Sequence, residues 1–381
     1  MKIAFLTPEY PHPKTGSAGG IGTSIMNLAK GLHNQGHTVT ILVYKQDKDT
    51  FFEQAGISIY KIKNVKVKGL SLFLTQRKVT RLINKLVYEG KIDIIEAPDW
   101  TGFTSLVFPK CPLVIRLNGS DTYFCHLEER QVKYRNRWLE KTALLRADGI
   151  ISVSEFTGKL TQKLFQLHKK FTVIPNSIDL NNFEPSVIQA KNNTILYFGT
   201  LIRKKGLLEL PLIFNEIIKK QPDAKLILVG KDSGDKQSGS PSTWKLMQPL
   251  FTSEAFKNTE YYGVVPYSEI KQHIAQATVC VFPTFAEALP VSWIEAMALE
   301  KAIVASSIGW APEVIDDGVN GYLGHPKNHD QFAFRILKLL KEEPLRKKMG
   351  AEARKKVIQK FSINKVAEQS VQFYKEILKE K

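Results

Sequence analysis

Apolar residues in this chain fall in short, nearly continuous blocks. Those at 3–6, 39–44, 57–62, 92–97, 113–117 and 150–153 have the length of strands. They lack the strict alternation of a half-exposed sheet, as parallel strands buried on both faces should. Between them, apolar positions recur at helical spacing over 23–35, 76–88 and 127–146. The first two of these helices end at Gly36 and Gly90, residues suited to a left-handed helix terminus. The alternation then restarts, with strands at 194–198, 225–229, 261–265, 279–282 and 302–305 and helices at 207–220, 267–277, 291–299 and 330–341. A polar stretch with Pro185, residues 177–193, separates the two series. The pattern predicts an α/β chain of two doubly wound domains, residues 1–180 and 190–381, facing a central cleft. The last helix, 362–380, is free to pack back on the first domain.

Composition supports two cores. The chain has 381 residues, 43% hydrophobic and 24% charged, which excludes wholesale disorder. No run approaches the ~18 apolar residues of a bilayer-spanning helix. The start, MKIAFLTPEYPHP, meets Glu9 and Pro11 too soon for the apolar core of a signal peptide and reads as a first strand. Cys111, Cys125 and Cys280 lie far apart with no metal-ligand spacing, which fits a reducing cytosol. The net charge of +17 favours anionic partners: nucleic acid, an anionic membrane face or phosphorylated ligands. Residues 57–91 hold nine cations against one acid, Glu89. Within them, Val79, Leu82, Ile83, Leu86 and Val87 form an apolar stripe, with Arg77, Lys78, Arg81 and Lys85 on the remaining positions. An apolar loop, Leu70-Ser-Leu-Phe-Leu74, precedes that helix. Such a segment suits peripheral attachment to an anionic leaflet, or equally a helix packed on its own domain with solvated cations.

Three motifs carry candidate chemistry. Gly16-Ser-Ala-Gly19-Gly20-Ile-Gly22 lies between the first strand and the first helix, where a phosphate could approach free N–H groups. Residues 7–15 intervene, so the dinucleotide fingerprint does not fit, and a plain flexible loop is the alternative. Glu287 and Glu295 sit at one strand end and helix start, with Pro290 in the first turn, where carboxylates can grip a hydroxyl-rich ligand. Arg203-Lys204-Lys205-Gly206 follows the first strand of the second domain and suits a diphosphate.

With these motifs in order, the chain resembles the GT-B retaining glycosyltransferases, specifically glycosyltransferase family 4, over nearly its whole length. Further motifs that carry the resemblance are Ile150-Ile-Ser-Val-Ser-Glu155, Val173-Ile-Pro-Asn-Ser-Ile-Asp179 and Gly309-Trp-Ala-Pro-Glu313-Val-Ile-Asp-Asp-Gly318-Val-Asn-Gly321. The resemblance implies two Rossmann-like domains, with the acceptor on the first and a nucleoside-diphosphate sugar on the second. It implies catalytic roles for Glu287, Lys205, Arg203 and Asn118. Glu287 would touch the donor sugar's hydroxyls, Lys205 would neutralise the diphosphate, and Glu295 would grip the ribose. Gly19, Gly20, Gly199, Leu289, Val291 and Ser292 would complete the donor site.

Three positions depart from the family's pattern. Thr200 stands where many members have Arg, and Arg203 is the cation that could replace it. Asn118 stands where many have His, and cannot titrate. Trp310 replaces the second glycine of a pair, where it would narrow the site, stack on a ring or simply pack. Asp47-Lys-Asp49 has the spacing of a metal motif but reads as a solvated loop, so neither metal nor cofactor is expected. The expected activity is metal-independent sugar transfer with retention to a glycan or lipid-linked acceptor in bacterial surface polysaccharide or glycolipid synthesis. The expected location is the cytoplasm, at the inner leaflet. The alternatives are an epimerase or phosphorylase on the same architecture, or a nucleic-acid-binding protein, which the paired carboxylates disfavour.

Overall fold

A computed structural model describes residues 1–16, 19–185 and 191–380. Ser17 and Ala18 of the glycine cluster, and residues 186–190 of the linker, lie outside them. The chain divides into two compact units. The first is Met1–Asp179 together with the chain from Phe361 onward, and the second is Leu180–Lys360. The sequence reading assigned 190–381 to the second domain but left the last helix, 362–380, free to pack on the first. The structure groups the chain from Phe361 onward with the first unit.

The first unit is built on eight strands: β1 (Lys2–Thr7), β2 (Thr38–Gln46), β3 (Thr50–Gln54), β4 (Ile57–Lys63), β5 (Ile94–Pro98), β6 (Leu113–Leu117), β7 (Gly149–Ser152) and β8 (Thr172–Val173). Their order is β3-β4-β2-β1-β5-β6-β7-β8. Only β3 runs antiparallel, pairing Phe52 with Ile59 of β4. The second unit holds β9 (Thr194–Phe198), β10 (Lys225–Val229), β11 (Thr259–Tyr261), β12 (Val279–Phe282), β13 (Ile303–Ser306) and β14 (Tyr322–Gly324). Here the order is β11-β10-β9-β12-β13-β14, all parallel. Each sheet reverses strand order beside its first strand, β1 or β9, and ligands of such sheets bind beyond the strand C-termini at that switch.

Several elements differ from expectation. The helix read over 127–146 begins only at Tyr134 and runs to Arg146, and a separate short helix, Asp121–Leu127, precedes it. The apolar loop at 70–74 is the first turn of the helix Ser71–Tyr88, with Leu70 at its N-cap. The acids of Asp47-Lys-Asp49 are solvent-exposed, as read, and each also pairs with a cation, Asp47 with buried Lys61 (2.8 Å) and Asp49 with Lys78 (2.6 Å).

The returning helix, Ile363–Lys379, completes the core of the first unit. Val366, Ala367, Val371, Phe373, Tyr374 and Ile377 pack with Phe5, Ile25, Leu28 and Leu32. It meets the helix Gly20–Asn34 at Gly31, where a Cβ would stand 2.8 Å from the Ile363 carbonyl oxygen. Beneath it lies a buried ion pair. Arg116 Nε donates to Glu96 Oε1 at 2.7 Å, and Tyr374 Oη donates to Glu96 Oε2 at 2.6 Å. The same guanidinium donates to the Ile174 carbonyl (2.9 Å) and to Ser370 Oγ (3.3 Å). Burial works against the charge on Arg116, but Glu96 and Tyr374 together outweigh it and hold the guanidinium's pKa above its ordinary value. Removing one member of such a pair strands its partner in low dielectric. In urea unfolding, Arg116→Met is expected to lose about 3–5 kcal/mol and Tyr374→Phe about 1–3 kcal/mol. Wild-type stability in both would show that the network does not fasten the returning helix.

Candidate active site

In the second unit, β9 leads through Gly199 into the short 3-10 turn Arg203–Lys205, closed by Gly206 at φ +74°. A Cβ on Gly206 would lie 1.7 Å from the Pro283 carbonyl oxygen, so only glycine lets this turn reach the loop after β12. Two hydrogen bonds lock the contact: Phe285 N–H (2.8 Å) and Ala286 N–H (3.2 Å) both donate to the Lys204 carbonyl. The next residue on each side is a candidate from the sequence. Lys205 Nζ stands 2.9 Å from Glu287 Oε1, both partly exposed.

The loop continues through Leu289 to the helix Val291–Ala298, with Val291 and Ser292 in its first turn and Glu295 deeper in. Glu295 is buried and accepts a hydrogen bond from Tyr267 Oη at 2.6 Å. Burial pushes its carboxyl up to about 7, against the opposing pull of the Tyr267 hydroxyl and the Lys205 charge. The structure therefore brings Lys205, Glu287 and Glu295 together. Arg203 is otherwise engaged. Its guanidinium forks onto Asp235 at 2.9 and 2.7 Å and holds that carboxyl well below the usual carboxylate range. The proposal that Arg203 replaces the missing cation thus meets a partner that the sequence did not reveal. Trp310 is fully buried and packs in the interior, which removes the open-site roles considered for it.

The sequence profile "Glycosyl transferases group 1" matches residues 179–356, and "Glycosyltransferase Family 4" matches residues 18–182. The chain belongs to the glycosyltransferases. An uncharacterized glycosyltransferase of Methanocaldococcus jannaschii is 26% identical, over 98% of this chain and 98% of its own. Sucrose-phosphate synthase from Thermosynechococcus elongatus superposes with a TM-score of 0.80 at 19% identity, covering 100% of both chains. Anabaena HepE in complex with UDP-glucose does so at 0.73 and 19% identity, covering 98% of this chain and 99% of its own. At those identities the structural likeness is one of fold, and that fold is GT-B.

The first unit of this glycosyltransferase places its candidates differently. Glu9 Oε1 accepts the N–H groups of Gly19 (3.0 Å) and Gly22 (3.1 Å), so a carboxylate of the chain itself engages the helix start expected to meet a phosphate. Gly20 remains exposed beside it. Asn118 follows β6, and its N–H donates to Asp99 Oδ1 at 3.0 Å. Asp99 is buried, and burial pushes its carboxyl up to about 8. Among the described residues its Oδ2 has no hydrogen-bond partner. Another motif of the resemblance, Val173–Asp179, is tied to the first helix. Asn176 and Ser177 accept hydrogen bonds from Ser24 and Asn27, and Asp179 pairs with Lys30, all on the helix Gly20–Asn34. Sequence reasoning missed Tyr267, Asp235, Glu9 and Asp99, because each reaches its partner from a separate segment of the chain. Among the described residues no cluster of three or more His, Cys, Asp or Glu side chains could hold a metal ion.

The Tyr267 hydrogen bond favours the ionised form of Glu295. Tyr267→Phe is therefore expected to raise the Glu295 titration midpoint, read by carboxyl carbon NMR with Glu295→Gln as the assignment control. An unmoved midpoint would show that the hydroxyl contributes nothing.

Proposed function

We propose that this enzyme moves a sugar from a nucleoside-diphosphate sugar to a glycan or lipid-linked acceptor, with retention and without a metal, in surface polysaccharide or glycolipid synthesis. The observation that carries the reading is the Lys205–Glu287 contact at 2.9 Å, with Glu295 within reach of the Lys205 charge. One cation and two carboxylates in that span match the diphosphate, hexose hydroxyls and ribose of a single donor. Support for a uridine nucleotide comes from HepE, a relative in fold that has been solved with UDP-glucose.

In this mechanism the bond between the anomeric carbon and the diphosphate oxygen breaks first, leaving an oxocarbenium-like sugar. Lys205 stabilises the charge growing on the departing phosphate, a preorganised contact of the kind that carries most electrostatic catalysis. The acceptor oxygen attacks from the face the phosphate leaves, and its proton passes to the departing phosphate oxygen. No protein base is required, which accommodates Asn118 where the family often has an imidazole. Asn118 would hydrogen-bond a sugar hydroxyl instead.

Attachment to the inner leaflet belongs to the same reading. Leu70 and Phe73 are exposed at the start of the helix Ser71–Tyr88, beside exposed Arg77, Arg81 and Lys85. Lys78 and Lys85 are less available, since Asp49 holds the first and Glu89 stands 3.8 Å from the second. No helix among the described residues is long and apolar enough to cross a membrane.

Glu287→Gln is expected to lower turnover about ten- to a hundredfold, the worth of one charge-assisted hydrogen bond in the transition state, with the thermal melt unchanged. Activity should persist in EDTA. Wild-type turnover in the variant, or activity lost to the chelator and restored by Mn²⁺, would overturn the assignment.

The carboxyl of Glu295 gives a second expectation. Its raised pKa means the ionised, ribose-accepting form predominates above about 7 and is lost as pH falls through that value. UDP affinity measured by calorimetry should therefore decline below pH 7, toward tenfold per unit, and Glu295→Gln should flatten the profile. A wild-type profile flat down to pH 5 would remove Glu295 from the nucleotide site.

A further inference from the structure

Just past the end of β5, Asp99 holds the end of β6 from two sides. Its N–H donates to the Arg116 carbonyl at 3.0 Å, and its Oδ1 accepts the Asn118 N–H at 3.0 Å. Asn118 Nδ2 donates to the same Arg116 carbonyl at 3.4 Å. Asp99 therefore carries the β5–β6 pairing beyond the strands and fixes where Asn118 leaves the sheet. The chain after Asp99 then turns sharply, with Thr101 and Gly102 at φ +54° and +60°. A Cβ on Gly102 would lie 2.3 Å from the Leu139 carbonyl carbon, so this turn presses on the helix Tyr134–Arg146 beside Glu140.

Two buried carboxyls thus lie behind the Asn118 turn, near enough for the Glu140 charge to act on Asp99. They are served unequally. Glu140 accepts the Asp121 N–H (2.9 Å), the Thr122 N–H (3.2 Å) and the Thr122 hydroxyl (2.5 Å). Asp99 Oδ2 is buried and, among the described residues, accepts nothing. Leaving a charged oxygen bare in the interior is costly, and two neighbouring carboxylates resist ionising together. Burial raises the Glu140 carboxyl as well, but its three donors pull the other way. Glu140 keeps the charge and Asp99 keeps the proton. Other charges nearby are already committed: Asp121 acts on Glu140 and takes the Asn136 amide at 2.8 Å, and Arg116 is spent on Glu96. Burial, with the Glu140 charge added and the Asn118 amide opposing, pushes the Asp99 carboxyl up to about 8.

We propose that Asp99 is a positioning residue whose proton controls the Asn118 turn. Protonated, it sets Asn118 in place for a sugar hydroxyl. Ionised, it faces Glu140 as a second negative charge, the turn gives way, and transfer fails in alkaline solution. That Asn118 meets a sugar rests on the transfer reading above. That the proton controls the turn rests on Asp99 and Glu140 alone. The arrangement also costs stability. An unfolded Asp ionises near about 4, so between that value and about 8 the fold holds a proton the unfolded chain has lost. Folding stability should fall as pH rises through that window.

The first measurement is the Asn118 amide resonance in the full chain, carrying isotopically labelled asparagine, without substrate. Asn118→Ser identifies the signal. The resonance should titrate with a midpoint near 8 in the wild type and stay still in Asp99→Asn. The melting temperature of Asp99→Asn should exceed that of the wild type by a margin that widens from pH 5 to pH 8. The second measurement is release of UDP from UDP-glucose. Asp99→Ala should lower kcat about tenfold, the worth of one hydrogen bond, with UDP affinity by calorimetry unchanged. Asp99→Asn should recover most of that loss at pH 7. It should also abolish the alkaline fall of the wild type and leave the acid limb set by Glu295 in place. Three results would overturn the proposal: an Asn118 amide that does not titrate between pH 6 and 9, an alkaline fall that persists in Asp99→Asn, or an Asp99→Asn melt below the wild type at pH 8. A chain whose Asn118 amide titrates as expected but that releases no UDP from any UDP-sugar would overturn the transfer reading and leave the control of the turn standing.

Discussion

Everything chemical in the second unit hangs on the absence of one carbon atom. Gly206 presses its backbone against the Pro283 carbonyl so closely that any Cβ would overlap it. That approach lets the Lys204 carbonyl take two amide protons from the loop after β12. The cation at 205 and the carboxylate at 287 then need no long reach to meet. Two loops that end different strands are fused into one rigid rim, and the charge pair is the result of that fusion rather than its cause.

Burial sorts the charged groups of the rim into different duties. Lys205 and Glu287 stay partly open to solvent, so each can exchange its partner for a ligand at little cost. Glu295 is withdrawn from water and carries a raised pKa. Arg203 spends its fork on Asp235, whose carboxylate also takes the Ser238 hydroxyl at 2.6 Å and so pins the 235–238 loop. A cation run that looks uniform in the sequence is thus split into one residue facing the carboxylate rim and one bracing a neighbouring loop.

What could be read in advance follows from how local each signal is. The inner strands were legible because a strand buried on both faces must be apolar throughout. The edges were not: β3 has only two apolar residues in five, β8 has two residues and β14 three, too few for any period to register. The break between Asp121–Leu127 and Tyr134–Arg146 lies in a polar run where Glu129, not glycine, takes the positive φ, so no residue type announced it. Glu287, Glu295 and Lys205 were readable because strand ends and helix starts are visible in sequence, and family resemblance then supplied their roles. Tyr267, Asp99 and Glu9 were invisible because their importance lies in partners that only folding brings near. In the basic segment at 57–91 a count within the segment overstates the free charge, because Lys61 and Lys78 pair with Asp47 and Asp49, exposed acids that lie outside it.

The return of the last helix to the first unit has a consequence for biosynthesis. A nascent first unit lacks Val366, Phe373 and Tyr374, so the face of its sheet that they cover stays uncovered and Glu96 lacks a hydrogen-bond donor. The ribosome must deliver all of Leu180–Lys360 before that gap can close. At typical elongation rates this is a wait on the order of ten to forty seconds. Throughout it the second unit has its full sequence sooner than the one that precedes it, so the order of completion runs against the order of synthesis.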